Sequence, residues 1–223
     1  MILKYEGLTF KFQTGPDTDF IGKQMREQGK FFEQGLLEYI REHYPVQKTV
    51  LDIGANFGNH TVYFSVFLDC ESIHAFEPCK PTFVLLTCNC QGLGPHGYPE
   101  LHNVALGDRP MIGSGEMLEE DNAGTFTIHE DGAGDIIIRT LDSFELQDVT
   151  LMKIDAEWME LQVIKGGLET IKRCLPVIIA EGAGWGYMEP IMELLRPLGY
   201  TCRNAADIAP DLGTTWLITR GEE

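Results

Sequence analysis

Basic residues are scarce in this chain. Its 223 residues include 17 Lys and Arg against 34 Asp and Glu, which gives a formal net charge of −17 and a pI of about 4.7. Proteins that bind nucleic acids or anionic membrane surfaces concentrate Lys and Arg where they make contact. The composition therefore disfavours both kinds of partner and favours an acidic, solvated surface that keeps the protein in solution.

Long apolar runs are also missing. Residues 1–12 alternate charged and apolar side chains and contain no continuous apolar region of the kind found in secretory signals. No other segment approaches the roughly 20 consecutive apolar residues that a membrane-spanning helix needs. We therefore expect a cytoplasmic protein.

Cysteines are too few and too scattered for the disulfide framework of a small secreted domain. The chain has six of them, at positions 70, 79, 88, 90, 174 and 202. Cys88 and Cys90 form a C-x-C pair, but no matching Cys or His pair follows at zinc spacing. We expect reduced structural thiols and no metal ligand set.

The G-x-G-x-x-G signature of dinucleotide-binding folds does not occur. In its place, V-L-D-I-G-A-N-F-G-N-H-T at 50–61 describes an apolar strand that runs into a turn flanked by Gly54 and Gly58, with N–H groups of the next helix start available to an anionic group. A second strand ends at Glu77, where a carboxylate can accept hydrogen bonds from a ribose diol. This spacing suits a nucleotide cofactor without a pyrophosphate, and S-adenosylmethionine is the predicted cofactor.

The rest of the chain alternates strands with helices, which predicts a single α/β domain over residues 1–223 built on a parallel sheet. We expect residues 1–47 to form an N-terminal helical segment, because apolar residues between 19 and 43 recur at helical spacing. Short β-like runs separated by Gly, Asp and Asn predict a hairpin insertion over 113–140. The third strand is expected over 100–105, and the last two strands resemble an antiparallel finish.

Five sequence blocks, in order, resemble the FkbM family of S-adenosylmethionine-dependent methyltransferases. They are G-A-N-F-G-N-H-T-V-Y-F at 54–64, A-F-E-P at 75–78, N-V-A-L-G-D at 103–108, R-T-L-D at 139–142 and K-I-D-A-E-W-M-E-L-Q-V-I-K-G-G at 153–167. The resemblance implies a Rossmann-like, doubly wound, seven-stranded and mostly parallel sheet with an antiparallel last strand. It also implies O-methylation of a hydroxyl, often on a sugar or another small molecule.

The resemblance also implies which residues hold the cofactor. Glu77 would bind the ribose hydroxyls, and Ala105 and Leu106 would lie at the edge of the adenine ring. His60 matches a position that is commonly histidine in the family, where a purely structural hydrogen bond is an equal alternative. The methionine part of the cofactor would be surrounded by Asp52, Gly54, Ala55, Asn56, Gly58 and Asn59.

One block departs from the family pattern. Trp158 stands where the family has glycine in K-I-D-V-E-G-M-E. Glycine permits a positive φ or a close backbone approach, whereas an indole fills space. Trp158 is therefore predicted to form an aromatic wall for the acceptor, with a tolerated packing change as the alternative.

Methyl transfer to an alcohol needs alignment of the reacting atoms and removal of the hydroxyl proton. Asp155 and Glu157 follow the fourth strand and Glu181 ends the fifth, so a parallel sheet brings all three carboxylates to one edge. We expect Asp155, or else Glu157, to serve as the base, and Glu181 to contact the substrate. Mg²⁺ held by these carboxylates, or His129 as the base, are weaker alternatives.

The predicted partner is a small-molecule or glycan acceptor, whose pocket would be built from the N-terminal segment, the inserted hairpin and the loop after the fifth strand. A nicotinamide-dependent oxidoreductase and a catalytically inactive cofactor-binding interaction domain are the alternative functions. The sequence leaves the oligomeric state open, with a homodimer as one alternative.

Overall fold

The structure is a computed structural model that describes residues 1–93, 98–119, 122–182, 184–208 and 212–221. Residues 120 and 121 of the predicted insertion lie outside the described residues. Within the described ranges, no helix combines the length and the apolar character needed to cross a bilayer.

The N-terminal segment begins with a β-hairpin, so its prediction as wholly helical was wrong. Strands β1 (Ile2–Tyr5) and β2 (Leu8–Lys11) pair antiparallel around Glu6 and Gly7, which both have positive φ. The charged and apolar residues of 1–12 alternate with the period of two that is typical of a half-buried strand, and this is the physical reason for the difference. Helices α1 (Phe20–Gln28) and α2 (Gln34–His43) follow.

The central sheet is doubly wound, as predicted. The next elements are β3 (Val46–Ile53), α3 (Asn59–Phe67), β4 (Asp69–Phe76), α4 (Lys80–Asn89) and β5 (Glu100–His102). Strands β3, β4 and β5 are parallel neighbours, and the middle of β3 is fully buried on both faces. A strand buried on both faces reads as the continuous apolar run that the sequence shows there.

A second, smaller sheet lies beside the central one. It has the order β6-β9-β7-β8 and is formed by β6 (Ala105–Leu106), β7 (Met111–Met117), β8 (Phe126–His129) and β9 (Ile136–Arg139). The third strand of the central sheet therefore ends at His102, not at Ala105. The side chain of Asn103 donates hydrogen bonds to the carbonyls of Glu77 and Pro78, which turns the chain away before Ala105 pairs with β9.

The C-terminal half completes the central sheet. Its elements are β10 (Val149–Ile154), α5 (Glu160–Gly166), α6 (Leu168–Cys174), β11 (Val177–Glu181), α7 (Trp185–Leu195), β12 (Tyr200–Asn204) and β13 (Thr215–Arg220). The seven strands have the order β12-β13-β11-β10-β3-β4-β5, and β13 runs antiparallel to both of its neighbours. The predicted α/β class with an antiparallel last strand is confirmed.

Candidate active site

A cavity of about 580 Å³ opens at the carboxyl ends of β3, β4, β10 and β11. Its remaining walls come from the N-terminal helices, the second sheet and Thr214, which precedes β13. The strand order reverses at β3, because β4 and β5 are added on one side of it and β10 and β11 on the other, and ligands of doubly wound folds bind in the crevice that this leaves at the carboxyl ends. The volume is in the range of pockets that bury a ligand the size of a nucleotide cofactor.

Glu77 lies at the end of β4 and lines this cavity. Its Oε2 accepts a hydrogen bond from the N–H of Asn56 and its Oε1 accepts one from the N–H of Cys79, both at 2.8 Å. Burial raises the pKa of Glu77 to about 7, although the two backbone donors favour the charged form. Each carboxylate oxygen has a second lone pair, so a ribose diol can still donate to this group.

Gly54 and Asn56 also line the cavity, and both have positive φ, 77° and 51°. A Cβ on Gly54 would lie 1.6 Å from the carbonyl oxygen of Asp155. The loop after β3 and the loop after β10 therefore touch backbone to backbone, which only glycine allows. This contact fixes the position of the carboxylates relative to the candidate ribose site.

Other residues of the first motif support the loop from behind. Asp52 is fully buried, and its Oδ2 accepts a hydrogen bond of 2.5 Å from the hydroxyl of Thr61. Gly58 has φ 93°, and a Cβ there would lie 2.8 Å from Cδ1 of Leu86. Asp52, Ala55 and Gly58 are buried and are not among the described residues that line the cavity.

Asn59 and His60, at the start of α3, hold the N-terminal segment in place. The Asn59 side chain accepts from the N–H of Phe32 and donates to the carbonyl of Phe32, both at 3.0 Å. Nε2 of His60 lies 3.1 Å from Oε2 of Glu33. Phe32 and Glu33 line the cavity, whereas the described lining includes neither Asn59 nor His60. These two side chains therefore hold the cavity wall in place, and the cofactor contacts expected of them stay a prediction.

Ala105 and Leu106 lie on an apolar side of the cavity. Both are buried, and they line it together with Val104, Phe126 and Ile128. Two of these neighbours come from β8, so the second sheet supplies much of this surface. A flat, weakly polar ring such as adenine suits a pocket of this kind.

Three carboxylates, those of Asp155, Glu157 and Glu181, line the cavity at the ends of β10 and β11. Nζ of Lys153 lies 3.1 Å from Oδ2 of Asp155 and 3.8 Å from Oδ1 of Asp52. Glu181 is hydrogen-bonded to Asp155, and it also accepts a bond of 3.0 Å from the hydroxyl of Thr214. The structure therefore brings together the three acidic side chains that the sequence predicts at this edge.

The three carboxylates differ in their protonation. Burial raises the pKa of Asp155, but the ammonium of Lys153 and the hydrogen bond from Glu181 outweigh it, so the pKa falls below its usual value. Burial and the charge of Asp155 raise the pKa of Glu157 to about 7 and that of Glu181 to about 9. At neutral pH the site holds one carboxylate, one group near its midpoint and one carboxylic acid.

Trp158 is 56% exposed and makes an edge contact with Tyr187 at 5.5 Å between ring centroids. It is not among the described cavity-lining residues, so the aromatic wall for the acceptor stays a prediction. Its φ is 79° and that of Glu157 is 46°. Glycine is the residue that such a backbone favours, so an indole at this φ is strained.

His129 is likewise not part of the described lining. Its Nε2 lies 2.9 Å from Oε1 of Glu116, and both side chains are about half exposed. The alternative of His129 as the base gains no support from this position.

Two residues in the K-I-D-A-E-W-M-E block have roles that sequence reasoning missed. Lys153 is 5% exposed near the end of the buried strand β10, and a buried lysine needs an acidic partner. Glu160 is 3% exposed, accepts from the N–H of Ala156 and from the hydroxyl of Tyr187, and so holds the loop that carries Glu157. The sequence feature that could have indicated a buried, paired Lys153 is its position between the apolar residues Met152 and Ile154.

The residues present fit S-adenosylmethionine. Glu77 offers the ribose acceptor, Ala105 and Leu106 offer the apolar adenine surface, and the close approach at Gly54 leaves the cavity open beside them. The carboxylates at the β10 and β11 ends suit a cofactor that carries a positive sulfonium and ammonium. A doubly wound sheet with a cavity at this edge defines a class of fold that binds nucleotide cofactors at the carboxyl ends of its strands.

The chain belongs to the FkbM methyltransferase family, because the methyltransferase FkbM domain matches residues 52–202. S-adenosylmethionine is the cofactor of this family. None of the curated proteins matches the chain in sequence.

Solved structures show the same fold. A methyltransferase FkbM from Methylobacillus flagellatus KT is 18% identical with a TM-score of 0.55, and the match covers 77% of this chain and 43% of that one. A candidate tRNA (m1A22) methyltransferase from Streptococcus pneumoniae is 12% identical with a TM-score of 0.50, covering 87% and 73% of the two chains. The chain thus spans less than half of the length of its FkbM relative.

Proposed function

We propose that the chain transfers the methyl group of S-adenosylmethionine to a hydroxyl of a sugar or another small polar molecule. The observation that supports this proposal is that Asp155, Glu157 and Glu181 line the same cavity as Glu77. A hydroxyl needs a base to become a good nucleophile, and several acceptor oxygens around it select a polyhydroxyl ligand.

When bound, S-adenosylmethionine would supply an electrophilic methyl group, and Glu77 with the apolar surface of Ala105 and Leu106 would hold it in the cavity. The protein aligns the acceptor for methyl transfer and removes its proton. Glu157 is the base in this proposal, since a pKa of about 7 is best matched to proton transfer at neutral pH. Asp155 stays ionised beside Lys153 and accepts a hydrogen bond from the acceptor, which orients it.

Glu181 has a different role because its pKa is raised to about 9. It is protonated at neutral pH, donates to Asp155 and presents its remaining oxygen to the substrate. Asp155 and Glu181 share hydrogen bonds, so their titration belongs to the pair. The carboxylates that line one edge of the cavity thus divide into a base, an anion that orients the acceptor and an acid that donates.

The test is a methyl-transfer assay with isotope-labelled S-adenosylmethionine and a panel of monosaccharides, polyols and small amines, read by mass spectrometry. Label on oxygen of a hydroxyl compound is the expected result. Label on amine nitrogen alone, or cofactor binding with no labelled product from any member of the panel, would overturn the proposal.

The pH dependence sharpens the assignment of roles. At saturating cofactor, kcat/KM for the acceptor should rise with pH through about 7, as Glu157 loses its proton, and fall through about 9, as Glu181 loses its own.

Glu157→Gln should lower turnover by about 10²–10⁴-fold and remove the rising limb of the pH profile. Glu181→Gln keeps a hydrogen-bond donor, but one that does not titrate, so it should flatten the falling limb of the pH profile. Glu116→Gln, on the exposed hairpin, is the matched control. If Asp155→Asn causes the larger loss, Asp155 is the base.

A further inference from the structure

A cluster of two histidines and one glutamate lies outside the cavity, on the edge of the central sheet. His74 is on β4, and Glu100 and His102 are on β5, the edge strand. One ligand atom from each of these residues lies within 4.8 Å of the other two. None of the three is among the described residues that line the cavity.

The parallel register places these side chains on one face. His74 is paired with Glu100, and Phe76 is paired with His102 one alternation further along. Nδ1 of His74 lies 3.1 Å from Nε2 of His102 and 3.6 Å from Oε2 of Glu100. The two imidazoles, whose planes are 8° apart, are hydrogen-bonded to each other through these nitrogens, and the Glu100 carboxylate lies beside them.

We propose that His74, Glu100 and His102 bind Zn²⁺, or a divalent transition metal of similar ligand preference. Nitrogen and oxygen ligands at about 2.0–2.2 Å from a tetrahedral zinc lie about 3.3–3.6 Å from one another. The observed separations of 3.1 and 3.6 Å bracket this range. Two imidazoles and a carboxylate are also the ligand types that such metals prefer over Mg²⁺ or Ca²⁺.

Packing holds one of the three side chains in place, and solvent reaches another. The ring of His102 stacks on Phe76 at 4.6 Å and meets the edge of Phe144 at 5.1 Å, so packing fixes its plane. His74 is 7% exposed, whereas the side chain of Glu100 is 66% exposed. A metal entering from the solvent side at Glu100 would displace the proton shared by the two imidazoles and turn their nitrogens toward itself, with a fourth position left for water.

A bound metal at this point would join β5 to β4 beside the cofactor site. The carbonyl of His102 accepts a hydrogen bond of 3.0 Å from the N–H of Glu77. Because a ligand of the folded state alone stabilises that state, Zn²⁺ should raise the unfolding temperature of the protein.

The experiment is calorimetric titration of ZnCl₂ into chelator-treated, untagged full-length protein. We expect one Zn²⁺ per chain. Glu100→Gln and His102→Gln should each weaken binding by more than about 100-fold, since losing an outer-shell partner alone costs about 10–100-fold. Co²⁺ should give visible absorption bands without the thiolate charge-transfer band of cysteine ligation.

One control variant accompanies the two ligand substitutions. Glu116→Gln removes the carboxylate beside His129, another histidine and glutamate pair on the surface, and should leave Zn²⁺ binding unchanged. Glu100 is exposed, so Glu100→Gln tests the site without disturbing the core. Absence of binding, binding that survives both Glu100→Gln and His102→Gln, or a thiolate band with Co²⁺ would each overturn the proposal.

Discussion

The loop after β3 and the loop after β10 lie against each other, and they use their polar residues in opposite ways. Around the first loop, Asp52 and Asn59 are buried and bonded to other protein groups. In the second loop, Asp155 and Glu157 face the cavity, and the pKa of Glu157 is raised to about 7. The first loop therefore sets the shape of the site, while the second carries groups that can exchange protons.

The two loops show that residues of a recognisable sequence motif can support a site without lining it. Buried polar groups whose hydrogen bonds are made within the protein give rigidity. Polar groups that keep donor or acceptor positions open to a cavity can still take part in chemistry. Changes near the first loop should mainly alter stability and cofactor affinity, while changes in the second should mainly alter turnover.

The largest expected effect is at the contact between the two loops. Gly54→Ala adds a Cβ that would lie 1.6 Å from the carbonyl oxygen of Asp155, and it also strains a φ of 77°. We expect the free energy of unfolding to fall by more than about 3 kcal/mol, with loss of cofactor binding. Urea unfolding and calorimetry measure these two changes.

The control for that variant is Gly7→Ala. Gly7 has φ 78° but no atom within 4 Å of the added Cβ, so only the backbone strain of about 1–2 kcal/mol should remain. Equal destabilisation by the two variants would show that the loops do not constrain each other.

Glu77→Ala should weaken binding of S-adenosylmethionine by about 1.5–3 kcal/mol, since hydrogen bonds to a charged acceptor contribute this much. Calorimetric titration measures the affinity. Glu71→Ala removes an exposed carboxylate from the same strand and should leave the affinity unchanged. If both variants bind equally well, Glu77 does not contact the ribose.

Asn59→Ala should lower the free energy of unfolding by about 1–3 kcal/mol, because the N–H and the carbonyl of Phe32 lose their partner. The released segment lines the cavity, so KM for the acceptor should rise as well. Asp142→Ala also removes a side chain with two hydrogen bonds to the backbone, at the start of α6 and not among the described cavity-lining residues, and should destabilise without changing KM. An unchanged KM in Asn59→Ala would exclude the N-terminal segment from acceptor binding.

The smallest expected effect is at Trp158. Trp158→Gly relieves a positive φ but loses the Tyr187 contact, worth about 0.5–1.5 kcal/mol, so stability should change by less than about 1 kcal/mol. Trp158→Ala loses the contact and keeps the strain, so it should unfold at a lower urea concentration than Trp158→Gly. If either variant methylates a different range of acceptors, Trp158 contributes to the acceptor site.

Much of the central sheet follows from the sequence. Apolar runs that end in polar residues predicted β3, β4, β10 and β11, and the position of Glu77 and Asp155 at strand ends predicted that they share one edge. The β1–β2 hairpin was missed because helical spacing farther along dominated the interpretation of residues 1–47. The end of β5 at His102 was missed because the side-chain bonds of Asn103 leave no local pattern.

The sequence by itself determined the fold class, the cofactor and the edge of the sheet where the acidic groups meet, because strand and helix periodicity and local glycine turns are written in neighbouring residues. Only the tertiary structure decided which motif residues face the cavity. Asn59 and His60 turn to residues 32 and 33, and Glu157 faces the cavity while Trp158 faces Tyr187. These directions depend on contacts between segments far apart in the chain, and the same is true of the convergence of His74 with Glu100 and His102. A local sequence pattern does not specify such contacts.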